Sequence, residues 1–301
     1  MSGSTKIEWT DSTWNPWWGC QTVGPGCDHC YAEAHDKRTG GAHFGVKHDR
    51  RRTSETNWNE IDRWQLHAGD FMAAHGRRRR VFVGSMMDIF DNAVPLEWTL
   101  AALGRLERCD QLDVQLLTKR VGNVPDRIPH RWTTGLWPRH IGLMTTIVNQ
   151  QEHDRDVPKL DAIKWAFGLP WTGLSMEPLL GQVDLAAISV DWVIVGGESG
   201  HHARPMHPDW VRALRDQCAD AAVPFLFKQW GEWTPGMNVQ RHTGHVQTAH
   251  WFDDSWAFGR ENLARVDGHI DDEPDLYRVG KREATRWLDG TEHNGFPRTA
   301  I

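Results

Sequence analysis

Val81-Phe82-Val83-Gly84-Ser85-Met86-Met87-Asp88 is a short apolar run that breaks at a glycine and ends in polar side chains. A strand with no polar position has no wet face, so it belongs in a sheet covered on both sides. The pattern returns at residues 114–118, 140–145, 171–176, 192–196 and 224–228. Between these runs, residues 95–109, 157–168 and 208–222 read as helices, with Pro95 placed to start the first. Strands alternating with helices predict a parallel sheet. Adding Ile7-Glu8-Trp9-Thr10 as a first strand, the rhythm predicts an α/β chain. Its fold is a partial or complete parallel β/α barrel of the TIM type over residues 1–229. Residues 39–80 are polar around one helix at 57–67 and read as an insertion or lid. Residues 230–301 lose the rhythm and read as an irregular cap packed on the barrel.

Composition narrows the function classes. The chain has 301 residues and a formal net charge of −6, so it has no general attraction to nucleic acid and would need a local basic patch. Two arginine runs are candidates, Arg50-Arg51-Arg52 and Arg77-Arg78-Arg79-Arg80, although such runs also read as solvated faces. No apolar stretch reaches the ~18 residues of a membrane span, and the first residues lack the apolar core of a signal peptide. The expectation is a cytoplasmic protein with no membrane partner. Eighteen tryptophans against two tyrosines suggest indoles lining a cleft where flat groups stack.

Three of the five cysteines, Cys20, Cys27 and Cys30, fall within eleven residues, around Gly24-Pro25-Gly26 and just ahead of a helix expected over residues 27–38. Cysteines grouped in this way point to metal rather than to a disulfide framework. Three thiolates leave one position open, as in a cubane cluster with one iron free for chemistry. A structural zinc would need a fourth ligand, for which His29 and His35 are the neighbours. Cys109 and Cys218 lie on helices and read as buried thiols.

Parallel barrels carry their chemistry at the C-terminal strand ends. The groups gathered there include Ser85, Asp88, Lys119, Asn149, Ser175, Glu177, Gly196, Gly197, Glu198 and Lys228. Glu177 also reads as a partner for Lys228 or Arg204, and Lys119-Arg120 as a surface pair.

Ile7-Glu8-Trp9-Thr10-Asp11-Ser12-Thr13-Trp14-Asn15-Pro16, the Gly-Cys…Gly-Cys-x-x-Cys-Tyr-Ala core, and the blocks at 116–120, 175–181 and 196–200 resemble a phage and bacterial family named for its three-Cys motif. That family is similar to the radical S-adenosylmethionine enzymes. The usual spacing there is C-x3-C-x2-C, and this chain keeps only the second gap. The resemblance implies a [4Fe–4S] cluster on Cys20, Cys27 and Cys30. It also implies S-adenosylmethionine held by Ser85, Asp88, Asn149, Ser175, Gly196 and Gly197, with Glu177, Glu198 and Lys119 as catalytic residues. The implied activity is formation of a 5′-deoxyadenosyl radical for modification or repair of a nucleotide or nucleic acid, with electrons from a reductant protein. Two alternatives stay open: a zinc- or cluster-containing binding protein, and a metal-dependent hydrolase using the strand-end carboxylates.

Overall fold

The computed structural model describes residues 5–239, 244–265 and 276–297. Strand β1 (Ser12–Trp14) is followed by the two-residue strands β2 (Trp17–Trp18) and β3 (Arg51–Arg52), which pair with each other. The apolar runs then appear as β4 (Arg79–Val83), β5 (Leu112–Thr118), β6 (Ile141–Thr146), β7 (Thr172–Met176), β8 (Trp192–Gly196) and β9 (Phe225–Gln229). One seven-stranded sheet results, in the order β1-β4-β5-β6-β7-β8-β9, with every neighbour parallel. It curls into a half-barrel, the partial form of the expected architecture. Alternation along each strand explains the unbroken apolar runs. Val81, Val83, Val193, Val195 and Phe227 join the large core under the helices, whereas Phe82, Met144, Trp192, Ile194 and Leu226 fill the opposite face.

The first strand is not at residues 7–10. That segment turns, with the Thr10 amide on the Ile7 carbonyl at 3.3 Å, and it sinks the Trp9 indole against Phe82. Asp11 then receives the Arg80 amide at 2.8 Å and both terminal nitrogens of Arg77, which sets the register of Ser12 against Val81.

Helix α1 (Tyr31–Arg38) follows the cysteine loop, and Cys27 belongs to a 3-10 turn ahead of it rather than to the helix. Residues 39–80 contain α2 (Glu55–Trp58), α3 (Glu60–Leu66) and α4 (Ala68–His75). Helices α2 and α3 brace the core: Trp58, Ile61 and Trp64 are buried in it, and the Trp58 indole donates to the Pro16 carbonyl. The remaining helices are α5 (Leu96–Arg108), α6 (Gln150–Phe167) and α7 (Pro208–Asp220). Helix α6 begins seven residues before the apolar period becomes visible, because its first two turns are polar and Asn149 caps them.

The C-terminal region is more regular than its sequence suggests. Strands β10 (Trp233–Pro235), β11 (His245–Phe252), β12 (Ser255–Asn262) and β13 (Leu276–Arg278) form an antiparallel sheet in the order β10-β13-β11-β12. Beyond it, residues 293–295 pair antiparallel with the outer edge of β9, with the Phe227 amide on His293 at 3.0 Å and the Gly295 amide on Phe225 at 2.8 Å. An exposed strand edge is thereby covered.

Candidate functional site

The C-terminal ends of the strands open into a cavity of about 600 Å³. Cys20, Cys27 and Cys30 all line it, as do Ser85, Asp88, Lys119, Ser175, Glu177, Gly197, Glu198 and Lys228. Residues spread over more than two hundred positions therefore meet at one place. The three sulfurs are free thiols, each partly exposed.

The fold builds the cysteine loop from both ends. Gly19 sends its amide to the Met86 carbonyl at 3.2 Å, and the Cys20 carbonyl receives the Gly45 amide at 2.8 Å. Gly26 packs so closely on the strand ends that a Cβ there would meet Val148 Cγ1 at 2.7 Å and Lys119 Cε at 3.6 Å. Cys30 occupies the N-cap position of α1. The Tyr31 hydroxyl donates to the Ser85 carbonyl and ties that helix to β4.

Buried charge holds the Cys20 side. Arg120 is 8% exposed, not part of a surface pair. Its Nη1 lies 3.3 Å from Cys20 Sγ and 3.1 Å from Asp88 Oδ2, and its Nη2 donates to the Gln21 carbonyl at 2.8 Å. Asp88 also accepts from Thr118 Oγ1 at 2.7 Å and from the Phe90 and Lys119 amides. Asp91, fully buried, accepts from Arg50 Nε at 2.8 Å. Burial pushes the Cys20 thiol up to about 11, with Asp88 adding to the rise and Arg120 opposing it. For Arg120 itself burial acts downward, but Asp88, Cys20 and Asp91 together outweigh it and raise the guanidinium above its ordinary value.

A second network holds the Cys27 and Cys30 side. Glu198 accepts from the Arg204 amide at 2.8 Å, from Arg204 Nε at 2.9 Å and from Arg204 Nη2 at 2.8 Å, and its Oε2 is 3.1 Å from His29 Nδ1. Arg204 reaches on to Asp28 Oδ2 at 3.0 Å and to the Pro25 carbonyl at 2.9 Å. Burial alone would lift the Glu198 carboxyl, but Arg204 and His29 more than offset this and hold it below the usual range.

The expected site residues divide accordingly. Glu198 and Asp88 are spent on holding the loop. Asn149 does not line the cavity; its side chain caps α6 by accepting the Glu152 amide at 2.9 Å. Gly196 also stands back, and its lack of a side chain admits Glu177, whose Oε1 would lie 2.6 Å from a Cβ there. Glu177 pairs with Lys228 at 3.1 Å rather than with Arg204, and Ser175 Oγ donates to its Oε2 at 3.4 Å. Ser85 Oγ accepts from Asn15 at 2.8 Å. Among the described residues the Lys119 ammonium has no hydrogen-bond or ion-pair partner, and the buried Thr146 hydroxyl on the neighbouring strand has none either. His29 faces Glu198, and His35 contacts Arg38 and the Trp18 ring.

Most guanidiniums of the two arginine runs are engaged within the chain. Arg50 is buried on Asp91, while Arg51 and Arg52 stack over Trp18 and Trp58 at 4.8 and 4.1 Å. Arg77 clasps Asp11, Arg79 lies over Phe71 at 4.3 Å, and Arg80 lies over Phe296 at 3.5 Å. Most of the tryptophans are core residues as well, although Trp165 and Trp287 are exposed; Trp9 is the one indole among the residues that line the cavity. Sequence reasoning named Arg120 only in a surface pair and Arg204 only as a partner for Glu177, because an arginine after a strand carries no mark of burial.

No helix among the described residues is long and apolar enough to cross a membrane. Among the same residues, no three His, Cys, Asp or Glu side chains are placed to share one metal ion. No curated protein and no solved structure matches the chain. The family model described as protein of unknown function (DUF5131) matches residues 4–297, and the chain belongs to that family.

Proposed function

We propose that the cavity is the active site of an iron–sulfur enzyme that uses S-adenosylmethionine, with Cys20, Cys27 and Cys30 holding a [4Fe–4S] cluster. The observation that carries this reading is the meeting of three thiols and the strand-end polar groups on one cavity above a parallel sheet. The donor set fits such a group. It is sulfur only, and a cubane gives each thiolate its own iron, so the sulfurs need not crowd around one ion. When bound, the cluster would supply one electron and S-adenosylmethionine the carbon-centred radical for hydrogen abstraction.

This chain's residues then have distinct tasks. Arg120 and Arg204 fix the loop. Lys119 and Thr146 offer unspent donors to an anionic group of cofactor or substrate. Glu177, half-neutralised by Lys228, orients a hydroxyl or amino group. The apolar floor of Trp9 and Phe82 excludes water from beneath. With most of the arginine runs already engaged, the substrate is better read as a nucleotide-sized molecule than as a long polyanion. A reductant protein would deliver the electron.

The test is anaerobic reconstitution followed by reduction in the presence of S-adenosylmethionine, scoring 5′-deoxyadenosine. Wild type should release it. Alanine at Cys20, Cys27 or Cys30 should abolish both iron uptake and release, whereas Cys109→Ala should affect neither. Glu177→Gln should keep the cluster and slow release by about a hundredfold. A fully loaded wild-type cluster that yields no 5′-deoxyadenosine would falsify the reading.

A further inference from the structure

We infer that Arg120 sets the reduction potential of the cluster by donating a hydrogen bond to the sulfur of Cys20. The inference rests on the cluster reading above, and goes beyond it by assigning a tuning role to a residue that is not a ligand. Three observations carry it. Arg120 Nη1 is 3.3 Å from Cys20 Sγ, while among the described residues neither Cys27 nor Cys30 has a side-chain donor on its sulfur. The guanidinium is almost fully buried, so water does not screen what it does to that sulfur. Its orientation is fixed by three further contacts: Nη1 to Asp88, Nη2 to the Gln21 carbonyl, and Nε within 3.9 Å of Asp91.

One-electron reduction adds negative charge that the cluster shares with its thiolates. A positive N–H aimed at one thiolate stabilises the reduced form more than the oxidised form and so raises the potential. Asp88 and Asp91 neutralise the arginine at longer range, which confines the effect to the sulfur that the N–H touches. Lysine cannot replace the fork, because one ammonium cannot reach the sulfur, the carboxylate and the carbonyl in fixed directions together. Arg120 is thus a positioning residue that would make the iron on Cys20 electronically unlike those on Cys27 and Cys30.

The experiment is a redox titration of reconstituted protein, with dithionite as the one-electron donor and the reduced cluster followed by electron paramagnetic resonance. Arg120→Met should shift the midpoint potential downward at unchanged iron content, and Arg120→Lys should shift it in the same direction by less. Asp88→Asn keeps the guanidinium and removes a counter-charge, so its shift should be upward. An Arg120→Met protein that holds its iron at an unchanged midpoint overturns the inference. If the Arg120 variants take up no iron, Asp88→Asn decides: an upward shift supports the inference, and an unmoved or lower midpoint overturns it. Absence of iron uptake by the wild type removes the cluster reading itself, and this inference with it.

Discussion

The cysteine loop is gripped from two sides by arginine–carboxylate networks, and the two are built for different conditions. On the Cys20 side, the side chains of Arg50 and Asp91 are 2% and 0% exposed and those of Arg120 and Asp88 6% each. On the other side only Glu198 is comparably buried, at 6%, while Arg204, His29 and Asp28 are 29%, 31% and 49% exposed. Charges in the first network have no solvent to fall back on, so removing one partner strands another. Charges in the second can exchange their partners for water and salt. The arrangement fixes Cys20 and leaves the segment carrying Cys27 and Cys30 adjustable.

The comparison can be broken first at Arg50. Arg50→Met leaves Asp91 buried with the Ala93 amide and, at 3.9 Å, Arg120 Nε, and should cost about 3–5 kcal/mol in urea unfolding, with little dependence on salt. A cost below about 1 kcal/mol would show that the buried network is no stiffer than the exposed one.

Arg204→Met should cost less, about 1–3 kcal/mol, and the loss should shrink at high salt because the Asp28 arm is in solvent. It should also alter the acid limb. The folded Glu198 carboxyl lies below its unfolded value, so its contribution is complete above that value, about pH 4.3, and fades as pH falls through the folded one. Without Arg204, stability should change less between pH 5 and acid, in steps of about one pH unit. An acid limb identical to wild type would mean that Glu198 draws its stabilisation from elsewhere.

The smallest effect sharpens the contrast. Arg52→Ala removes a guanidinium stacked on Trp58 with no buried carboxylate behind it, and should cost about 0.5–1 kcal/mol. A loss as large as that at Arg50 would mean that the arginine run acts as one unit, against the distinct roles described above.

The strands were legible because residues such as Val193, Ile194 and Val195 are apolar on both faces, a pattern that little else produces. Strand β1 was not, since three residues held by Asp11 carry no periodicity. In the cap, β12 is exposed at nearly every position, so no alternation marks it. Most of the groups expected after the strands line one cavity, and the three cysteines line it with them. What position could not do was sort the carboxylates. Glu177 and Glu198 look alike in sequence, and only the Arg204 fork and the Lys228 ammonium distinguish them. Arg120 was hidden by its neighbour, since Lys-Arg after a strand has the look of a surface pair.

The pairing of residues 293–295 with β9 also bears on when the sheet becomes safe from other chains. Trp192 gives its indole N–H to the Gly295 carbonyl across 103 residues of sequence, and Phe296 lies under Arg80 from the far side of the curl. A ribosome releasing this chain exposes the β9 edge and the inner indole face well before the segment that covers them emerges. Contacts so distant in sequence form slowly, because the intervening loop must be closed before they contribute. The half-barrel therefore spends its synthesis as an open template for strand addition, and the hazard ends only when the covering segment arrives.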